Sequence, residues 1–365
     1  MVVQPTVSHY RAPFIQAMLQ QDILPVSLFG RYSNLEDRHL RNQIKSASAK
    51  ILQQVEELRF REWNHLRWER GIVPSVVRRE YSAYVLEGRA YTVSTWLALL
   101  LGKAQGTPIF LWGHGWKRPE SGAKLAFRIF FYKLARGLLV YGDWAKGYAE
   151  SVGLDPQRVA VVGNSIFSED DLRRNRVPER TGQESDFTVI VSVRLTSRHR
   201  VHLLAEAMER MPQGTRNTRV IIIGDGDQRE RLEQEFSSRG IPAEFPGAVY
   251  GAGPLSDYYR RSDVAVSPRA SGLNIVQAMG FGRPVIAPTD DPTSGPESEL
   301  AVAGETGLRF ALDDVDALAG VLVQLRDQPA MAVSMGRAAF DRVLRTHTAD
   351  AHSRAMAGAV RSRLE

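Results

Sequence analysis

The 365-residue chain contains no cysteine. That absence excludes disulfides, zinc–thiolate sites, iron–sulfur clusters and thiol nucleophiles together. Lysine is scarce as well: there are seven, and none lies beyond Lys146. A cation required in the second half must therefore be an arginine. No apolar run reaches the roughly 20 residues of a membrane-spanning helix, and the best stretch, Trp96 to Leu101, is cut off by Lys103. The opening residues, MVVQPTVSHYRAPF, lack the charged start and apolar stretch of a secretory signal. A cytoplasmic protein is expected, whose only membrane contact would be peripheral. The sequence has no internal repeat and no low-complexity tract.

What is present is a sequence built for sizeable cores, 43% hydrophobic and 24% charged. The net charge of +6 is unevenly placed. Residues 1–186 hold 26 basic and 19 acidic residues, whereas the rest hold 21 and 22. A basic first half suits nucleic acid or anionic lipid as a partner, or reflects only an arginine-rich solvated surface.

Apolar runs of strand length alternate with helical periods. Strands are expected at 2–7, 25–29, 83–86, 108–112, 138–141 and 159–162, with helices at 12–20, 91–103, 124–135 and 145–152. Residues 168–186, polar and charged with one proline and one glycine, read as a linker. The alternation restarts with strands at 187–193, 220–223, 264–266 and 284–287, and helices at 201–211, 228–238, 255–261, 273–279, 315–326 and 330–345. This pattern predicts two α/β domains with doubly wound parallel sheets, facing each other across a cleft. They would span 1–167 and 187–345, and residues 346–365 would form a helix or polar tail that crosses back to the first domain. One stretch breaks the rhythm. In 36–70, Ile44, Ile51, Val55 and Leu58 form a helical stripe, with eight basic residues, Trp63 and Trp68 around it. It reads either as an amphipathic helix packed on its own domain or as a membrane-facing element.

The passage most loaded with chemistry is Ser267 to Pro288, SPRASGLNIVQAMGFGRPVIAP, a strand–loop–helix–loop–strand pattern. Backbone N–H groups of Gly272, Leu273 and Asn274 would point from the helix N-terminus, a ready anion site. Gln277, one turn further on, can donate and accept, which suits a ribose diol.

This passage resembles the two-Rossmann-domain (GT-B) glycosyltransferases, closest to the large retaining group that uses nucleotide-sugar donors. The family pattern is matched at Gly272, Ala278, Met279, Gly282, Pro284, Val285 and Ile286. Three other stretches are similar in the right order: Val191–Leu195, Ile223–Arg229 with Leu232-Glu233, and Phe245–Gly247 with Tyr258-Tyr259 and Ser262–Val264. The family's two glutamates, separated by seven residues, are replaced by Arg269 and Gln277. By resemblance, the second position holds the ribose and the first touches the donor sugar. Arg269 instead suits an acidic sugar or a phosphate.

The resemblance also assigns a donor-phosphate cation to Arg194. Its partner lands on His199 or Arg200; Arg200 is chosen for its charge, with Arg198 as the alternative. Gly224 and Val249 are the remaining nucleotide-sugar residues that it implies. In the first half, Leu111-Trp-Gly-His-Gly-Trp116 ends a strand, and His114 corresponds to a histidine that family members often carry near the donor sugar. His9 and Arg11 follow the first strand in the other lining loop, where the family's glycine-rich loop is missing. Asp225-Gly-Asp227 spells a metal-binding signature of a different fold, but here it sits in a turn after an apolar strand. No metal is expected, and no cofactor beyond the nucleotide-sugar substrate, UDP- or GDP-linked.

The reading is a glycosyltransferase of hexosyltransferase type, retaining and metal-independent, with His114 and Arg269 as the catalytic candidates. Its acceptor would be a glycan, lipid-linked or other hydroxyl in bacterial cell-surface polysaccharide or glycolipid synthesis. Peripheral contact with an anionic membrane is expected, and nucleic acid is not. Three readings remain beside it: a nucleotide-sugar epimerase of the same fold, a non-catalytic nucleotide-sugar binder, and a nucleic-acid-binding protein.

Overall fold

The computed structural model describes residues 1–4, 9–31, 53–212, 214 and 216–365. The chain divides into two units: residues 1–166 with 349–365, and residues 167–348.

The first unit contains β1 (Val2–Gln4), α1 (Ala12–Gln20), β2 (Leu28–Gly30), β3 (Val55–Glu57), β4 (Phe60–Trp63), β5 (Leu66–Glu69), α2 (Ile72–Arg78), β6 (Tyr84–Glu87), α3 (Val93–Gln105), β7 (Ile109–Gly113), α4 (Gly122–Leu134), β8 (Gly137–Val140), α5 (Asp143–Ser151) and β9 (Val159–Val161). Seven strands form one parallel sheet in the order β3-β2-β1-β6-β7-β8-β9. The order reverses direction between β1 and β6, the switch point at which such sheets bind ligands. Both sheet faces are covered, so Phe110, Leu111, Leu138 and Leu139 are buried in consecutive pairs rather than alternately.

Part of the 36–70 expectation is corrected here. Residues 32–52, with Ile44 and Ile51, lie outside the described residues. Val55 sits on β3, and residues 60–69 form the antiparallel hairpin β4–β5 rather than helix. The hairpin turns on Asn64-His65, with Asn64 at φ +53°. Asn tolerates that left-handed backbone better than most residues, which is why it serves such two-residue turns.

The second unit opens where a linker was expected. Residues 168–186 instead begin with α6 (Glu169–Arg174), held by a reciprocal cap in which the Ser168 side chain accepts from Asp171 N–H and Asp171 accepts from Ser168 N–H. Arg180 pairs with buried Asp263 at 3.1 Å, and Arg283 donates to the Pro178 carbonyl. This polar stretch is therefore part of the unit.

It is followed by β10 (Asp186–Ser192), α7 (His202–Arg210), β11 (Asn217–Ile223), α8 (Arg229–Ser238), β12 (Ala243–Gly247), α9 (Ala252–Arg260), β13 (Val264–Val266), α10 (Leu273–Gly280), β14 (Val285–Pro288), β15 (Gly307–Phe310), α11 (Val315–Asp327) and α12 (Pro329–Thr346). The sheet is parallel, in the order β12-β11-β10-β13-β14-β15, with its switch point between β10 and β13. β12 carries Pro246 and takes the edge, where the missing N–H costs least. Val189, Val191, Ile222 and Val264 pack with Leu204, Leu318 and Leu322 in one core; burying each such side chain contributes roughly 1.5–3 kcal/mol.

The last segment, read partly as a polar tail, is the C-terminal helix Ala349–Arg361. It belongs to the first unit, where His352 stacks on Phe14 at 4.1 Å and Met356 and Val360 are buried against α1.

Candidate active site

In the second unit, the carboxyl ends of β10 and β13 bring Ser192–Arg200 beside Ser267–Gln277. Gln277 sits one turn into α10. Its Nε2 donates to Ser192 Oγ at 2.7 Å and to Tyr259 OH at 3.1 Å. These two bonds fix the amide orientation, and Oε1 accepts from no described residue. Tyr259 is fully buried, which raises its pKa and keeps the phenol neutral.

The helix N-terminus is narrower than the sequence implies. Gly272 N–H donates to Asn274 Oδ1 at 2.8 Å, so that amide is occupied. Asn274 Nδ2 in turn donates to Ser267 Oγ, which also accepts from Ser271. The N–H groups of Leu273 and Asn274 have no acceptor among the described residues.

Arg194 follows β10, is exposed, and has no side-chain partner among the described residues. Arg200 pairs with Asp313 Oδ1 at 2.7 Å. Arg198 donates to the Thr293 carbonyl. His199 bonds Thr196 Oγ1 at 3.0 Å, and burial, then Arg198 and Arg194, lowers its pKa towards a neutral ring. Arg269 does not stand free. Its Nη1 lies 3.1 Å from Asp313 Oδ2, and its Nε lies 3.6 Å from Asp291 Oδ1. Burial pushes the Asp291 carboxyl up, but bonds from Thr293, Ala270 and Ser294 outweigh it and hold the pKa low.

Asp313 and Asp291 were missed by sequence reasoning. The usable signal was an acidic pair after each apolar run, Asp290-Asp291 and Asp313-Asp314, but the strand at 307–310 was not recognised. All four described non-glycine residues with positive φ in this unit, Arg200, Ala270, Asp290 and Asp313, follow the carboxyl ends of β10, β13, β14 and β15. Strained backbone of this kind concentrates where ligands bind.

Gly224 has φ +142°, and a Cβ there would lie 1.9 Å from the Val193 carbonyl oxygen. It allows the loops after β10 and β11 to touch. Asp225 Oδ1 accepts from Gly226 N–H at 2.8 Å, while among the described residues Asp227 Oδ2 accepts only from Gln228 Nε2, at 3.3 Å. Val249 is half-buried after β12.

In the first unit, β7 ends at Gly113 and presents His114. Gly115 follows at φ +61°, where a Cβ would press on Val140 at 3.0 Å. The imidazole meets Tyr141 edge-on at 5.0 Å. Surrounding protein, then Lys117 and Arg11, lowers its pKa to about 3. Although the residue is partly exposed, the shift leaves a neutral imidazole at neutral pH. Arg11 is corrected to a supporting residue: it is buried, and its guanidinium donates to Asn164 Oδ1 at 2.7 Å and Tyr141 OH at 3.4 Å. His9 lies in a single helical turn before α1, and its side chain is outside the described set. No group of three or more His, Asp or Glu able to hold a metal ion occurs among the described residues.

Residues 186–328 match the sequence model of the family Glycosyl transferases group 1. No curated protein sequence matches the chain. Among solved structures, Alr3699/HepE of Anabaena in complex with UDP is similar, with TM-score 0.71, 14% identity and 99% of each chain covered. A glycosyltransferase of Rickettsia africae ESF-5 gives TM-score 0.74 at 14% identity, covering 100% of this chain and 98% of that one. The lipopolysaccharide outer core galactosyltransferase WaaB gives 0.70 at 15%, covering 99% and 98%. The fold is the GT-B fold of these glycosyltransferases, and residues 186–328 carry the sequence pattern of the group 1 glycosyl transferases. More narrowly, that match lies wholly within the second unit of the chain.

Proposed function

We propose that the chain transfers a hexose, with retention and without a divalent metal, from a UDP- or GDP-linked donor to a hydroxyl of a glycan or lipid-linked acceptor. The setting is bacterial cell-surface polysaccharide or glycolipid synthesis at the inner face of the cell membrane. The observation that carries it is Gln277, locked by Ser192 and Tyr259 so that Oε1 is open to a ribose hydroxyl. HepE was solved with UDP and with UDP-glucose, which favours the uridine donor. WaaB, a lipopolysaccharide galactosyltransferase, supports the choice of surface glycan.

In this reading the second unit holds the donor and the first presents the acceptor. The bond from sugar C1 to the diphosphate breaks, and the electron pair leaves with the phosphate. Arg194, Arg200 and the Leu273 and Asn274 amides neutralise that charge. The acceptor oxygen bonds to C1, and its proton passes to a phosphate oxygen. Neutral His114 donates a hydrogen bond to a sugar hydroxyl. Arg269, already paired with Asp313 and Asp291, positions the loop after β13 and faces the donor.

The test is incubation with UDP-glucose, UDP-galactose and GDP-mannose, with and without a lipid-linked glycan acceptor. Transfer with the anomeric configuration kept supports the reading. Epimerised donor without acceptor would make it an epimerase, and binding without turnover a non-catalytic binder.

A further inference from the structure

Helices α3 and α4 lie side by side in the first unit, and both carry large apolar side chains on the outside. Leu97 and Leu100 on α3 are 40% and 49% exposed, and Phe127 and Phe130 on α4 are 47% and 56% exposed. Trp96 ties them together, with ring centroids 5.0 Å from Phe127 and 5.9 Å from Phe130. This is an apolar patch on adjoining helices, and leaving it in water costs free energy that burial against a partner surface would recover.

The charge around the patch has one sign. Neither helix contains an acidic residue, while together they carry Lys103, Lys124, Arg128 and Lys133. Between Val93 and Arg136 the only acid is Glu120, against seven basic residues, and Glu120 is taken by Lys124 and Arg128. At the carboxyl ends of the two helices a recess of about 1080 Å³ opens, lined by Lys103, Lys133, Arg136, Arg158 and Arg363. None of these five forms an ion pair among the described residues. Arg136, Arg158 and Arg363 donate only to backbone carbonyls. The acid in the recess, Asp155, is spent on Gln157 N–H at 2.9 Å.

We propose that the α3–α4 face docks on an anionic lipid bilayer, with the four apolar side chains at the acyl boundary and the recess cations on lipid phosphates. An apolar stripe beside unpaired cations matches both layers of such a surface, greasy interior and negative headgroups. A second copy of the chain would place the same unpaired cations against each other. The surface differs from the 36–70 stretch to which sequence reasoning assigned membrane contact. There Arg67 is held by Glu62 at 2.9 Å and Glu87 at 2.7 Å. The proposal does not depend on the reaction catalysed.

The experiment is flotation of the whole chain with phosphatidylglycerol–phosphatidylcholine vesicles and with pure phosphatidylcholine vesicles. Binding to the anionic vesicles alone, weakening with salt, is expected. Phe127→Ser with Phe130→Ser, and separately Lys103→Glu with Lys133→Glu, should each weaken it by about thirtyfold. Retained circular dichroism and nucleoside diphosphate binding would establish that both variants are folded. Arg59→Glu with Arg61→Glu, at the start of β4, should bind vesicles as the parent does. The proposal is overturned if anionic vesicles are ignored at low salt, if neutral vesicles bind equally, or if only the β4 variant loses binding. It is overturned equally if Phe130→Ser splits a dimer of a chain that binds no vesicles. Transfer to a soluble acceptor, measured in parallel, reports on the catalytic reading independently.

Discussion

Arg269 and Asp313 meet at 3.1 Å after β13 and β15, and Asp313 reaches Arg200 at 2.7 Å on its other side. One carboxylate thus holds two guanidiniums at the carboxyl edge of the sheet. Its side chain is 37% exposed, and in the proposed donor site it stands where the donor phosphates would bind the same two guanidiniums.

Asp313 is therefore expected to compete with the donor phosphates. Asp313→Asn should strengthen nucleoside diphosphate binding severalfold, because Asn keeps the left-handed backbone at φ +62° and removes the charge. Arg194→Ala and Arg200→Gln should each weaken it about ten- to a hundredfold, the loss of one charge-assisted contact of roughly 1.5–3 kcal/mol. Titration calorimetry decides. Weaker binding in Asp313→Asn, or unchanged binding in both arginine variants, contradicts the phosphate assignment.

Turnover should survive a chelator. Asp225 is used in a turn, where its Oδ1 holds Gly226 N–H at 2.8 Å, and an asparagine offers the same acceptor. Asp225→Asn and Asp227→Asn should therefore keep near-parental rates. Loss of activity in EDTA with recovery in magnesium or manganese would show that a metal is required.

His114 is neutral across the working range, with its pKa lowered to about 3. Between pH 5 and 8 its protonation should leave no limb in the kcat/KM profile. His114→Gln, which can still donate, should lose less than His114→Ala, for which about a tenfold loss is expected from one hydrogen bond. A limb near pH 6.5 that vanishes in His114→Gln would mean that the ring titrates in the active enzyme.

Glu69 on β5 is fully buried, and its carboxylate oxygens find no hydrogen bond among the described residues; Arg67 approaches only to 4.0 Å. Burial, then Glu87, raises its pKa from 4.5 to about 7. Between those values the folded chain holds a proton that the unfolded chain has lost. Stability therefore falls as pH rises from about 4.5 to 7, by at most on the order of 3 kcal/mol, and no further above that window. Glu69→Gln should flatten this slope and raise Tm at pH 8. Parallel Tm-versus-pH curves for the two proteins would contradict it.

Much of the fold was legible because its strands are short apolar runs and its helices carry 3.6-residue stripes. Val189 and Val191 on β10, and Ile222 on β11, announce buried strands without any tertiary information. The misses have physical causes. Val55 and Leu58 fit a helical stripe and also a strand edge, and only pairing of β3 with β2 decides between them. The segment 168–186 is polar, yet its arginines and carboxylates are satisfied within the unit, which composition does not record.

The same division holds for the site. Sequence by itself determined which residue types were available: arginine as the sole cation of the second half, glycine where Gly224 must pass the Val193 carbonyl, and glutamine at 277. Only the tertiary structure decided how they are used. Arg269 lies 44 residues from Asp313, and Gln277 lies 85 from Ser192. Neighbourhoods of that kind are created by strand order. The sheet sets β10 beside β13 and β15 two strands beyond, so charges far apart along the chain meet at one edge. A local pattern carries no record of which distant strand will become its neighbour.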